Sequence, residues 1–158
     1  MESDGGFPVT GVDPVAVAGS LAGFDPSGLD GDSLLTVMAG VERIVAAAHA
    51  AQVKAMAEFT RLRPHTPGRQ FGEFIADEIA LELSITRRAA ETRIAQAVEL
   101  TTRLPAVLAA LQTGAVDLYR ARIITEATYR LDDTTATRVA THVVDRVEGR
   151  NASQVRRI

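Results

Sequence analysis

From Leu29 the chain runs to Pro64 without a proline, and along this stretch apolar residues return every three or four positions. Asp30 or Asp32 stands where a side chain can accept the unpaired N–H groups of a helix start. The stretch therefore predicts one helix of about 30 residues, roughly 45 Å long. A compact domain of this size has a radius of gyration of about 15 Å. Such a rod must span the whole body or project from it, which makes an all-α bundle built around one long N-terminal helix the natural fold class. Within it Leu34, Met38, Val41, Val45, Ala48, Gln52, Ala55, Phe59 and Leu62 alternate steps of four and three, the repeat that keeps one seam against a partner helix. Two readings of that seam stay open: packing on later helices of the same chain, or pairing with a second copy, a homodimer in which the amide of Gln52 would select register.

Residues 1–28 mix Gly, Pro, Asp and Ser with little periodicity and predict a flexible leader, with a short helix after Pro14. Residues 29–158 form the helical domain. The segment 61–72, RLRPHTPGRQFG, is a loop because its prolines and glycines stop a helix. It carries Arg61, Arg63, His65 and Arg69, which read either as solvated charges or as phosphate contacts. Helices then follow at 74–83, 87–103, stopped by Pro105, and 106–112, ended by Gly114. Asp117 caps the next, 118–130, and Asp132 or Asp133 caps one that runs to Gly149 with Val139, Val143 and Val147 on one face. Asn151 followed by Gln154 is a capping box that starts a further helix at Ala152. Only two turns of it follow, so the domain is expected to be truncated at its C-terminal end.

The stretch 76–97, ADEIALELSITRRAAETRIAQA, has the pattern of a helix-turn-helix-like corner. Such a motif needs a small residue where its helices cross, apolar residues to lock them and a polar cap on the second helix, which lies in the major groove. Ala80 is the small residue, Ile79, Leu83 and Ile85 the lock, Thr86 the cap, and Ala90 and Ile94 look back into the core. Arg87, Arg88, Glu91 and Thr92 then point outward, with Arg93 beside them, where a recognition helix makes phosphate and base contacts. Three features pull the other way. Ser84 stands where glycine is commonest, Arg93 where many such motifs have an apolar residue, and Asp77, Glu78 and Glu82 on the first helix oppose phosphate. A DNA reader and a plain corner of a bundle both fit.

Charge does not settle the choice. The net charge is -3, against the strongly basic footprint usual for nucleic-acid binders. Residues 1–60 hold eight acids and two bases, whereas 61–130 hold eight acids and ten bases, so DNA binding requires a local patch. With no cysteine, disulfides, thiolate metal sites and cysteine nucleophiles are all excluded, and a cytoplasmic location fits. The apolar stretch Val15–Phe24 is short and broken by Gly19, Ser20 and Gly23, so it predicts neither a signal peptide nor a membrane partner. His49, His65 and His142 are far apart with no ligand spacing, and there is no phosphate loop or nucleophile elbow. No catalytic site, resident metal or small-molecule substrate emerges.

The runs "LDGDSLL", "EFIADEIALELSITRRAAETRIAQA" and "RLPAVLAALQTGAVDLYRARIITEAT", with "LDD" before the next helix, occur here in order. Together they resemble the actinobacterial domain of unknown function found N-terminal to HNH endonuclease domains, also called the mycobacterial thirteen-E-twelve repeat family. The resemblance covers about residues 29–158 and is most specific from Leu104 to Thr128. It implies an all-helical module attached, in full-length members, to a C-terminal nuclease domain that uses a divalent metal, and a link to mobile elements. No His-Asn-His set and no cysteine zinc knuckle are present in this sequence, so the resemblance carries no nuclease activity onto these residues. The expected function is a non-catalytic module targeting DNA through Arg87, Arg88, Glu91, Thr92 and Arg93, assisted by Arg61, Arg63 and Arg69. The alternative is a dimerisation or protein-interaction module using the long-helix seam.

Overall fold

The computed structural model describes residues 14–63, 72 and 74–158, and among these it contains eight helices and no strand. They are α1 (Pro14–Ala22), α2 (Gly31–Leu62), α3 (Ile75–Glu82), α4 (Arg87–Thr102), α5 (Pro105–Thr113), α6 (Leu118–Thr128), α7 (Asp133–Val144) and α8 (Ala152–Val155). The fold is all-α with one long helix, as its sequence predicts. Two compact units divide it, Met1–Val37 and Met38–Ile158.

In the first unit α1 occupies part of the predicted leader. Asp25 closes a turn by accepting the Ser27 N–H at 2.9 Å, and Asp30 accepts the Ser33 N–H at 2.7 Å, so Asp30 and not Asp32 caps α2.

In the second unit the helix starts follow their caps. Thr86 accepts the Ala89 N–H at 3.2 Å, Asp117 that of Arg120 at 2.7 Å, and Asp132 that of Thr135 at 3.0 Å. Each offsets a backbone donor that the helix leaves unpaired. Pro105 opens α5 at its first turn, where the missing N–H costs nothing. The capping box of α8 forms in both directions, with Asn151 N–H donating to Gln154 Oε1 at 2.8 Å and Gln154 N–H to Asn151 Oδ1 at 3.1 Å. Ile94, Leu100, Leu104, Val107, Leu111, Val116 and Val147 are almost wholly excluded from solvent and make up the centre of the core.

Gly114 ends α5 in the left-handed region at φ 75°. A Cβ there would lie 2.9 Å from the Cα of Arg43, so the close approach of α2 to this turn needs glycine as much as the backbone angle does.

Two expectations are corrected. The helix starting after Asp132 stops at Val144, not at Gly149. The Arg146 and Val147 N–H groups donate to carbonyls only three residues back, at 3.0 and 3.2 Å, and Gly149 takes φ 69°. Val147 is still buried, but from this tightened turn. The second correction concerns α2, whose residues packed into the core are Ala46, Ala50, Val53 and Met56, with Phe59 partly buried beside them. Of the 4–3 seam, therefore, only Phe59 packs on the chain's own core. The buried row lies about one residue step, roughly 100°, around the helix from the seam. Alanines on several faces of α2 leave the periodicity unable to choose between adjacent rows.

Candidate nucleic-acid interface

The corner between α3 and α4 is built from backbone hydrogen bonds outward. Ser84 takes φ 52°, and its N–H donates to the Leu81 carbonyl at 3.2 Å while the Ile85 N–H reaches the Ala80 carbonyl at 2.9 Å. This pair of bonds is a Schellman ending, with Ser84 in the left-handed position that glycine usually fills. Ser84 thus does the geometric task of the commoner residue, at the steric cost of its Cβ. Ile85, partly buried with Leu83, turns back on the core, and only Ser84 and Ile85 separate Leu83, the last cap of α3, from Thr86, the first of α4. Ile79, Ala90 and Ile94 are buried as expected, and Ala80 is half-buried.

Arg87, Arg88, Glu91, Thr92 and Arg93 are all solvent-exposed, yet they are not equivalent. Arg87 is engaged twice, by Asp77 at 3.1 Å and Glu91 at 3.2 Å. Thr92 donates its hydroxyl to the Arg88 carbonyl at 3.0 Å. Neither Arg88 nor Arg93 has an ion pair with a described residue. Arg88 lies on the outward side of the first turn, whereas Arg93 lines a cleft with α2 and the start of α6. The assisting arginines are also occupied. Arg61 pairs with Glu58 and holds that carboxyl below its ordinary range through a side-chain hydrogen bond. Arg63 pairs with Glu78 and its guanidinium lies 4.5 Å from the centre of the Phe59 ring. Arg69 and His65 lie outside the described residues. Asp77 and Glu78, two of the three acids expected to oppose phosphate, thus neutralise arginines of the same face, as does Glu91.

Of the seam on α2, Met38, Val45 and Leu62 are 56, 43 and 65% exposed, and Ala48, Gln52 and Ala55 are exposed with them. Leu34, Val41 and Phe59 are half-buried. An 18-residue window of α2 has a mean hydropathy of 1.4 and is only 11% buried, and by length and composition the helix could cross a membrane.

Two residues with no obvious motif prove to be central. Arg103, just before Leu104-Pro105, donates Nε to Asp133 at 2.8 Å and Nη2 to the Thr128 carbonyl at 3.3 Å, and also bonds Glu99 and the Leu131 carbonyl. It ties the end of α4 to the end of α6 and the start of α7. Its side chain is 13% exposed, and its pairing with Glu99 raises its pKa. The only local signal is an arginine placed just ahead of a helix stop. The other residue is Gln96, whose buried Nε2 has no hydrogen-bond partner. Among the described residues no three His, Asp or Glu side chains converge as metal ligands would.

Residues 34–158 match the model of a protein family described as a domain of unknown function, DUF222. No curated protein and no solved structure matches the chain.

Proposed function

We infer that the chain, which belongs to the DUF222 family, is a non-catalytic helical module that targets DNA for an HNH-nuclease-type protein, with the corner between α3 and α4 as its reading head. One observation carries this reading: a Schellman-ended helix, a two-residue step and a capped second helix whose first turns present Arg88, Glu91 and Thr92 outward over a locked apolar base. Arg88, with no carboxylate partner among the described residues, is the leading phosphate contact. Arg87 must first leave Asp77 and Glu91. Chemistry and any divalent metal belong to a separate nuclease domain, and the module works in the cytoplasm.

The test is fluorescence anisotropy of a labelled random duplex at two salt concentrations, for the native chain and the Arg87→Ala, Arg88→Ala double variant. The salt slope is expected to fall by up to about two, one for each phosphate that is no longer neutralised. Unchanged affinity in the double variant removes the DNA reading.

A second reading is favoured by the exposure of Met38, Val45 and Leu62 on an apolar helix. In it α2 pairs with a second copy through Met38, Val45, Ala48, Gln52, Ala55 and Leu62, and DNA is left to another domain. The charge-free run 44–53 of α2 is shorter than the about 20 residues that a hydrocarbon core requires, which favours protein over lipid as the cover. Sedimentation velocity decides: a monomer at every concentration removes this reading, and a dimer abolished by Ala48→Glu with Ala55→Glu upholds it.

A further inference from the structure

The cleft between α2, α4 and the start of α6 meets the reading face at Thr92, but neither Arg87 nor Arg88 lines it. Its volume is about 570 Å³, within the range of about 300–1,000 Å³ typical of sites for small organic ligands. A narrower recess of about 60 Å³ adjoins it and shares His49, Arg93, Gln96 and Leu118. Both the cleft and the recess lie within the second compact unit.

Its polar groups are mostly donors without acceptors. Gln96 Nε2 is buried and meets no acceptor, an uncommon state for an amide that carries two N–H groups. Arg93 presents a guanidinium with no ion pair or hydrogen bond to a described residue, and the half-buried His49 ring has none with a described residue either. The other charged groups are accounted for. Asp117 is spent on the N–H and Nε of Arg120, at 2.7 and 2.9 Å, and Arg122 is held by Glu126 at 3.3 Å while lying 5.2 Å from the Tyr119 ring centre. Of the carboxylates that line the cleft, Glu42 has no ion pair with a described residue, and it stands on α2 seven residues before His49, on the same face. Val45, Ala46 and Leu118 supply an apolar wall.

We propose that this cleft binds a small organic anion whose carboxylate or phosphate group is held by Arg93 and the Gln96 amide, with its apolar body against Val45, Ala46 and Leu118. Arg93 and Gln96 stand one turn apart on α4 and both line the cleft and the recess, so a guanidinium and, once its side chain turns outward, an amide N–H₂ can share the two oxygens of such a group. Glu42 disfavours an anion charged along its whole length and selects one whose apolar body keeps the charge at the Arg93 end.

The test uses benzoate and phenyl phosphate as probes, with benzamide and phenol as their neutral counterparts, titrated into the full chain and followed by two-dimensional NMR of backbone and glutamine side-chain amides. Saturable shifts of the Gln96 side-chain N–H₂ signals are expected with an anion and not with its neutral counterpart. Which anion binds distinguishes a carboxylate ligand from a phosphate one. Arg93→Ala is expected to weaken binding by about tenfold or more, the loss of a charge-assisted pair, whereas Arg138→Ala on α7 leaves it unaltered. Gln96→Leu separates a binding role from a structural one: it removes a buried unpaired donor and should raise the thermal midpoint while weakening the anion. No saturable shift with either anion, equal binding of the neutral probes, or full binding by Gln96→Leu overturns the proposal.

Discussion

At the scale of single residues, the corner rests on a serine in a conformation that side chains resist. At φ 52° the Cβ of Ser84 crowds the following carbonyl, a cost of about 1–2 kcal/mol that glycine avoids. Ser84→Gly is therefore expected to stabilise the domain by about 1 kcal/mol, after its greater unfolded-state entropy is subtracted, as read from urea unfolding. A destabilised variant would mean that the serine hydroxyl contributes more than its backbone costs. Arg103 is the opposite case, a charge whose removal leaves Glu99 and the Leu131 carbonyl without their donor and the Thr128 carbonyl with the Leu131 N–H alone. Arg103→Ala should lower the thermal midpoint clearly more than Arg61→Ala, which breaks only an exposed pair one turn apart. Similar losses for both would show that the Arg103 network adds no more than a surface pair. The serine was visible in the sequence as a departure from the usual glycine. The Arg103 network was not, since three of its acceptors, on Thr128, Leu131 and Asp133, lie 25 to 30 residues downstream in the chain and no local pattern encodes them.

At the scale of elements, most of the fold was legible because its helix boundaries are chemical. Asp117, Asp132, Asn151, Pro105 and Gly114 each act through a backbone group within three residues, so cap and stop positions follow from sequence. The orientation of α2 was not legible. Between Val45 and Ala57 alanine recurs on every side of the helix, and a small apolar residue is compatible with burial and exposure alike. The structure decides for Ala50, which is fully buried, against Ala48, which is exposed. Ala50→Leu is accordingly expected to cost about 1–3 kcal/mol through overpacking, while Ala48→Leu stays within about 0.5 kcal/mol for the isolated domain. Urea unfolding of the two variants checks the assignment, and the reverse order would restore the seam as the core face. The same comparison separates folding from association, because only Ala48 lies on the proposed pairing surface.

At the scale of the whole molecule, the difficulty for DNA binding is electrostatic. The chain carries a net charge of -3, and on the reading face Asp77 and Glu91 hold Arg87 while Glu78 holds Arg63. These pairs are exposed, and exposed pairs are weak, on the order of 1 kcal/mol or less. A phosphate can therefore displace the carboxylates, but it must compete with them for the same guanidinium. Sequence could reveal the arginines and the acids, but not which acid meets which arginine, because Asp77 and Arg87 sit on different helices. If the corner reads DNA, neutralising the competitors should release Arg87. Asp77→Asn with Glu91→Gln is expected to tighten binding to a random duplex and to steepen the salt slope by about one, the mark of one more neutralised phosphate. Arg88→Ala should weaken binding in both backgrounds, whereas Arg87→Ala should weaken it more in the neutralised one. Anisotropy titrations at two salt concentrations on this set separate a reading head restrained by its own carboxylates from a corner whose charges serve only one another, for in the latter case none of these variants changes the affinity for DNA.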